Sequence, residues 1–158
     1  MVSLDLPLDF YLRLFQVSLA PAAVVTATND LHGLVSAPFA KLGLPPWFVR
    51  YVGLWKGMII ALNFLREGTY VPLAQSMLAM LMGGAIFTHA VIEQSAAKCL
   101  PALVFLASSV AVPILRGASR PVFSASVSIT LAGVGYCIGQ GIQAALKMKK
   151  PEPSKREC

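Results

Sequence analysis

Residues 72–93, PLAQSMLAMLMGGAIFTHAVIE, carry no charged side chain before Glu93. A hydrocarbon core of about 30 Å needs about 20 apolar residues in a helix that rises about 1.5 Å per residue. The stretch meets that length, and Pro72 suits the first turn of a helix. It therefore predicts a transmembrane helix.

Four further apolar stretches have the length of membrane spans, at residues 9–31, 47–65, 99–115 and 122–146. Asp9 is the candidate N-cap of the first. Pro21 predicts a kink there, because proline cannot donate to the carbonyl four residues earlier. The last stretch is diluted by serine, threonine and glutamine, so a four-span protein with a re-entrant or surface-lying helix is the alternative. We expect five spans, since an uncharged stretch of this length has few other locations.

The expected fold is therefore an all-α integral membrane protein, with a four-helix transmembrane bundle and a fifth, C-terminal transmembrane helix. Residues 1–146 form a single transmembrane domain, and residues 147–158 form a basic polar tail. Hydrophobic residues make up 56% of the chain and charged residues 13%, against roughly a quarter in soluble domains. The N-terminus has no basic region or cleavage site typical of a targeting segment, so we expect none.

The net charge is +6, and five of the thirteen basic residues lie in the tail: Lys147, Lys149, Lys150, Lys155 and Arg156. Basic residues after an apolar span are typical of contact with anionic lipid headgroups. The remaining chain has no basic face with interleaved aromatic residues, so we expect no nucleic-acid binding.

Lys56 is the residue that most suggests a site, because it lies about nine residues, or ~14 Å, inside the second span. An intramembrane lysine costs roughly 2.5 to 3.5 kcal/mol on insertion scales and should face protein or water. Gly83, Gly84, Ser108 and Ser109 have a similar expected depth and could surround the ammonium group.

We hypothesise a buried polar cluster in which Lys56 meets Asp30 or Glu93, together with His89. His89 and Glu93 are one helical turn apart on one face. A structural ion pair is the simplest interpretation of this cluster, and a proton relay or quinone site is the alternative.

Glycine spacing gives a second signal. In lipid, small residues at four-residue intervals allow helices to approach closely. The glycines expected at helix contacts are Gly53, Gly57, Gly83, Gly84, Gly135 and Gly139. Gly133, Cys137, Gly141 and Ala145 form a further small-residue series. Contact within the bundle and contact with another chain both remain open.

Two segments carry a family resemblance: LGLPPWFVRYVGLWKGMII at residues 42–60 and LAMLMGGAIFTHAVIEQSAAKCLPALVFL at residues 78–106. Residues 42–116 resemble the DoxX-like family, which implies a four-helix membrane fold. MGGAIFT and CLPALV are most similar to its eukaryotic branch, which includes an assembly chaperone of nicotinic acetylcholine receptors. The family's glutamate in the second helix falls on Lys56, and the segment after Arg120 lies beyond its usual four helices.

The sequence contains no Ser/His/Asp set, carboxylate pair, metal-spaced cluster or phosphate loop, so we expect no enzyme, cofactor or metal site. The favoured function is a non-catalytic accessory subunit of a larger membrane complex, respiratory or otherwise bioenergetic, with other membrane subunits and lipids as partners. The alternatives are a redox-linked or transport protein that uses the Lys56 cluster, and a membrane-protein assembly chaperone. The mitochondrial inner membrane is the favoured location, with plastid membrane and endoplasmic reticulum as alternatives.

Overall fold

The computed structural model describes residues 7–28, 43–117 and 119–148, and within these ranges the protein is helical without a strand. Five helical segments are long and apolar enough to cross a membrane: Leu8–Val25, Trp47–Gly68, Val71–Ile92, Ala96–Leu115 and Pro121–Leu146. The expectation of an all-α fold with five membrane helices is confirmed.

The first span is built from two helices, α1 (Leu8–Gln16) and α2 (Ala20–Thr28), joined by a 3-10 turn at Val17–Leu19. The change in helix type falls directly before Pro21, whose ring nitrogen cannot continue the α-helical hydrogen bonds. The N-cap of α1 is Pro7. The expected capping role of Asp9 is therefore wrong, because Asp9 lies inside the first helical turn and binds arginine side chains instead.

The remaining spans follow in order as α3 (Pro46–Phe64), α4 (Val71–Phe87), α5 (Ala96–Leu115) and α6 (Pro121–Met148). A π-helical turn at Thr88–Ile92 extends α4.

The centre of the bundle is α4, which contacts α3, α5 and α6. Within its span, 56% of the residues are buried, against 17% to 33% in the other four. The apolar core joins Leu19, Ile59, Leu78, Met82 and Ala102. Burial of this kind explains why α4 carries small and apolar residues around its whole circumference.

The fifth span, α6, packs directly on α4. A Cβ atom added to Gly83 would overlap the Ala132 carbonyl, and one added to Gly135 would overlap the Met80 carbonyl. A Cβ atom on Gly139 would meet the Phe87 ring. Ser124, near the start of α6, lines a small cavity with Val71 and Pro72 at the start of α4. Gly139, further along α6, lies against Phe87 at the end of α4, so α6 runs parallel to α4. Its 28 residues are continuous, which fits a full span rather than a re-entrant segment.

Candidate functional site

Successive described spans run in opposite directions, so the bundle has two ends with different chemistry. We call the "Asp9 end" the one at which the first span begins and α5 finishes, and the "Trp47 end" the one at which α3 and α5 begin. Buried polar side chains concentrate toward the Asp9 end, whereas a large cavity opens toward the Trp47 end.

Four uncharged polar side chains form a central polar cluster, defined as Gln16, Asn63, Gln75 and Ser108, with exposures of 0% to 5%. The Gln16 Nε2 group donates to Gln75 Oε1 at 2.9 Å and to Ser108 Oγ at 3.0 Å. Gln16 Oε1 accepts from Asn63 Nδ2 at 2.9 Å and from Gln75 Nε2 at 3.0 Å. Gln75 Nε2 also donates to Asn63 Oδ1 at 2.7 Å. The cluster therefore connects the first four spans.

The membrane environment explains why the amide groups of this cluster are so fully hydrogen-bonded. Lipid cannot hydrogen-bond an amide, so an unsatisfied polar group there costs several kcal/mol. Gln16 uses both amide hydrogens and both lone pairs of its carbonyl oxygen, which is its full hydrogen-bonding capacity.

A charged layer lies next to the cluster, toward the Asp9 end. Asp9 Oδ2 lies 3.1 Å from Arg13 Nη2 and 3.3 Å from Arg116 Nη1. Arg13 Nη1 also donates to the Asn63 carbonyl at 2.9 Å, and its guanidinium lies 5.6 Å from the ring centroid of Phe64. The carboxylate thus links the first span to the end of α5.

Gly68 gives Arg116 room to reach across this end. Its φ is +85°, and a Cβ atom there would lie 2.9 Å from Arg116 Nη1. Glycine adopts a positive φ without steric cost. Gly68 therefore has two roles. Its positive φ suits the turn between α3 and α4, and its missing side chain leaves space for Arg116 from the end of α5.

The central polar cluster was not predicted from the sequence. Gln16, Asn63 and Gln75 are single neutral residues in apolar stretches, so they gave no charge signal. The available indication of a polar site was the spacing of three residues in the first span. Asp9 and Arg13 are four residues apart, and Gln16 follows about one helical turn later. The partners on other helices depend on how each helix is rotated about its axis.

At the Trp47 end, α3, α4, α5 and α6 enclose a cavity of about 620 Å³. Its wall is mainly apolar and includes five aromatic rings, those of Phe48, Tyr51, Trp55, Phe87 and Phe105. Cavities of about 300 to 1,000 Å³ are the usual size of small-molecule sites.

The polar side chains of this wall are Lys56, Thr88, His89 and Lys98. Lys56 is half-buried, and among the described residues it forms no ion pair. Its predicted partner Asp30 lies outside the described residues. The structure therefore places Lys56 and His89 on the same cavity wall, while the pairing of Lys56 with an acidic residue stays a prediction.

His89 and Glu93 are in contact, as their spacing suggested. His89 Nδ1 lies 2.8 Å from Glu93 Oε2, and Lys98 Nζ lies 3.1 Å from the same oxygen. Lys98, absent from the sequence hypothesis, thus takes the place expected for Lys56. The hydrogen bond with His89 lowers the pKa of Glu93, and the hydrogen bond and charge of Lys98 act in the same direction against the effect of burial.

The serines expected around Lys56 lie elsewhere. Ser108 belongs to the central polar cluster, and Ser109 Oγ donates to the Leu106 carbonyl at 2.7 Å. Equal depth in the membrane was not sufficient to bring these groups together, because α5 turns both hydroxyls away from the cavity. Gly84 does line the cavity with Lys56.

The predicted packing glycines occupy different surroundings. Gly83, Gly135 and Gly139 lie at the contact between α4 and α6, and a Cβ atom on Gly84 would be 3.8 Å from the Gly135 carbonyl oxygen. Gly53 is buried, whereas Gly57 is exposed.

Within residues 7–28, 43–117 and 119–148, no group of three His, Cys, Asp or Glu side chains is placed to hold a metal ion. Comparisons with curated proteins and with solved structures gave no match. A family model for the DoxX-like family matches residues 14–112. The match begins earlier than the resemblance at residues 42–116 and includes most of the first span, together with the central polar cluster and the cavity lysine. This integral membrane protein therefore belongs to the DoxX-like family.

Proposed function

We propose that the protein is a non-catalytic accessory subunit that packs the outer face of α6 against a transmembrane helix of another chain. The observation that carries this proposal is the composition of that face. The outer face is defined by seven exposed residues: Ser126, Thr130, Gly133, Cys137, Gln140, Gly141 and Ala144.

These residues recur at intervals of three or four, so they lie along one side of the helix. The opposite side is occupied by α4. A Cβ atom on Gly133 or Gly141 would have no neighbour within 4 Å. The backbone of α6 is therefore open to close approach along this side.

Exposed apolar residues such as Ile129 and Val134 flank this face, but its own small and polar side chains form a poor lipid surface. Among the described residues, the Gln140 side chain has no hydrogen-bond partner, and an unpaired amide is costly in lipid. Small residues and amide side chains are the groups that transmembrane helices use to pack on each other. A second transmembrane helix would supply both van der Waals contact and a partner for Gln140.

The test is extraction in mild detergent, native electrophoresis and mass spectrometry of the co-migrating chains. The wild-type protein should migrate in a large assembly with constant partners. Replacing both Gly133→Leu and Gly141→Leu should release it, because the two side chains would hold the partner helix away. Migration of the wild-type protein alone would contradict the proposal.

Gly57→Leu is the matched control, since Gly57 is equally exposed and a Cβ there also has no neighbour within 4 Å. It should leave the assembly intact. Release by Gly57→Leu but not by the two α6 substitutions would move the contact to α3 and overturn the proposed surface.

The location proposed for this assembly is an organelle membrane, with the mitochondrial inner membrane favoured, and cell fractionation would test it. The proposed role of residues 147–158 is contact with anionic headgroups. A redox-linked or transport function and an assembly-chaperone function stay predictions. The first expects a bound quinone or haem in a solitary protein, and the second expects transient, substoichiometric partners.

A further inference from the structure

The cavity at the Trp47 end combines three properties that define a class of ligand. It is large, it is apolar over most of its wall, and it contains a lysine without a described acidic partner. The inference drawn from them is independent of the proposed function, because it concerns the inner wall of the bundle rather than the outer face of α6.

The charge balance of the wall is positive. Lys56 and Lys98 both line the cavity. Glu93 is bound by Lys98 at 3.1 Å and by His89 at 2.8 Å. One carboxylate therefore neutralises Lys98, and the described residues leave Lys56 without a counter-ion. A cation in a site of low dielectric constant strongly favours an anionic partner.

The depth of Lys56 sets the position of such a partner. The backbone of Lys56 lies about 14 Å from the Trp47 end, and its four-carbon side chain can extend toward the level of His89. An anionic group at this level would meet the ammonium group, with the His89 ring on the same wall as a further hydrogen-bonding group.

Beyond Lys56 the cavity is suited to a hydrocarbon chain. Trp55, Leu81, Ala102 and Phe105 line it, and Leu19 contributes from the first span. The Trp55 indole donates to the Met77 carbonyl at 3.4 Å, which fixes the ring against the wall. Tyr51 and Ile138, which are 50% and 51% exposed, mark where the cavity reaches the outside of the bundle.

We propose that this cavity binds a single-chain amphiphile whose anionic headgroup, a carboxylate or a phosphate, pairs with Lys56 while its hydrocarbon chain occupies the apolar interior. A free fatty acid and a lysophospholipid both have this chemistry.

The two tryptophans of the chain allow a direct binding measurement. Trp47→Phe leaves Trp55, in the cavity wall, as the reporter. The full chain in neutral detergent is titrated with dibrominated stearate, with the corresponding lysophosphatidic acid, and with the methyl ester of the brominated acid, since bromine quenches indole fluorescence on contact. We expect saturable quenching by at least one anionic probe at a lower concentration than by the ester. Preference between carboxylate and phosphate identifies the source of the headgroup.

Three substitutions and one control separate the effect of the charge from that of the cavity. Lys56→Met should weaken binding of the anionic probe about tenfold or more and leave ester binding within about twofold, because it removes only the charge pair. Lys56→Arg should retain the anion preference. Ala85→Phe, on the cavity wall, should reduce quenching by all probes. Arg50→Gln is the control for general surface charge and should change nothing.

Equal quenching by acid and ester, or unchanged acid binding in Lys56→Met, would overturn the proposal. Asp30 provides the competing explanation, since it could neutralise Lys56 within the protein. If the anionic probe binds to Asp30→Asn but not to the protein with Asp30 intact, Lys56 is already paired and the cavity is not an anion site.

Discussion

In the centre of the bundle, the hydrogen bonds between spans come from neutral side chains, those of Gln16, Asn63, Gln75 and Ser108. Gln16 connects three other spans through hydrogen bonds at 2.9 to 3.0 Å. The charged residues that form ion pairs, which are easier to notice in an apolar sequence, lie toward the two ends of the bundle. Gln16, which joins its span to three others by hydrogen bonds, is therefore difficult to recognise from the sequence alone.

Replacing Gln16→Leu should lower the free energy of unfolding by about 1–3 kcal/mol, because Asn63 Nδ2 would lose its described partner in a site without water. The measurement is unfolding of the purified chain in mixed micelles. Ser126→Ala is the control, since Ser126 is exposed and bonds only to its own helix. Replacing Gln16, Asn63 and Gln75 together with leucine should cost less than the sum of the three single changes, and strict additivity would contradict the network.

A pH-dependent contribution to stability is expected from Glu93, which lies just beyond the α4 span. Its pKa is lowered in the folded protein, first by the hydrogen bond with His89 and then by Lys98. A depressed carboxyl pKa contributes stability that is present above the unfolded pKa, about 4.3 for glutamate, and is lost as the pH falls through the folded value. Thermal unfolding followed from neutral to acid pH should show this loss.

Glu93→Gln should remove this acid-dependent step and give a lower, flatter stability profile. Glu67→Gln is the matched control, because Glu67 is exposed at the opposite end of the bundle. An unchanged acid step in Glu93→Gln would assign the pH dependence to other carboxylates.

At the scale of helices, α6 has two sides with opposite surroundings, and glycine occurs on both. Gly135 lies against the Met80 carbonyl, whereas a Cβ atom on Gly133 has no neighbour within 4 Å. The same residue type therefore serves contact inside the bundle at one position and leaves an open surface two positions away.

The substitution Gly135→Ala should destabilise the isolated chain by about 1–3 kcal/mol or force α6 away from α4, since the added methyl group overlaps backbone atoms that cannot rotate aside. Gly133→Ala, two residues away, should be neutral or stabilising by up to about 1 kcal/mol, because alanine favours helix over glycine. Unfolding of both variants in mixed micelles provides the comparison. Equal effects would mean that helix propensity, rather than contact with α4, determines the outcome.

Across the whole molecule, the two ends of the bundle differ in how tightly the spans are joined. At the Asp9 end, Arg13 and Arg116 both pair with the Asp9 carboxylate, and the hydrogen-bonded central polar cluster fills the interior. The Trp47 end is opened by the cavity and by the half-buried Lys56. Four spans are thus fixed relative to each other at one end, which allows the other end to retain a space large enough for a ligand.

The amino-acid sequence was sufficient to predict the membrane class, five spans by their length, a kink at Pro21, and a shared helical face for His89 and Glu93. These features depend on composition, on length relative to the bilayer, and on residues one helical turn apart. The contacts between polar groups on different helices could not be predicted in this way. They include the Gln16 hydrogen bonds, the pairing of Asp9 with Arg116, and Lys98 in place of Lys56 beside Glu93. The physical reason is that depth along a span follows from residue number, whereas the rotation of each helix about its axis is set by packing against its neighbours.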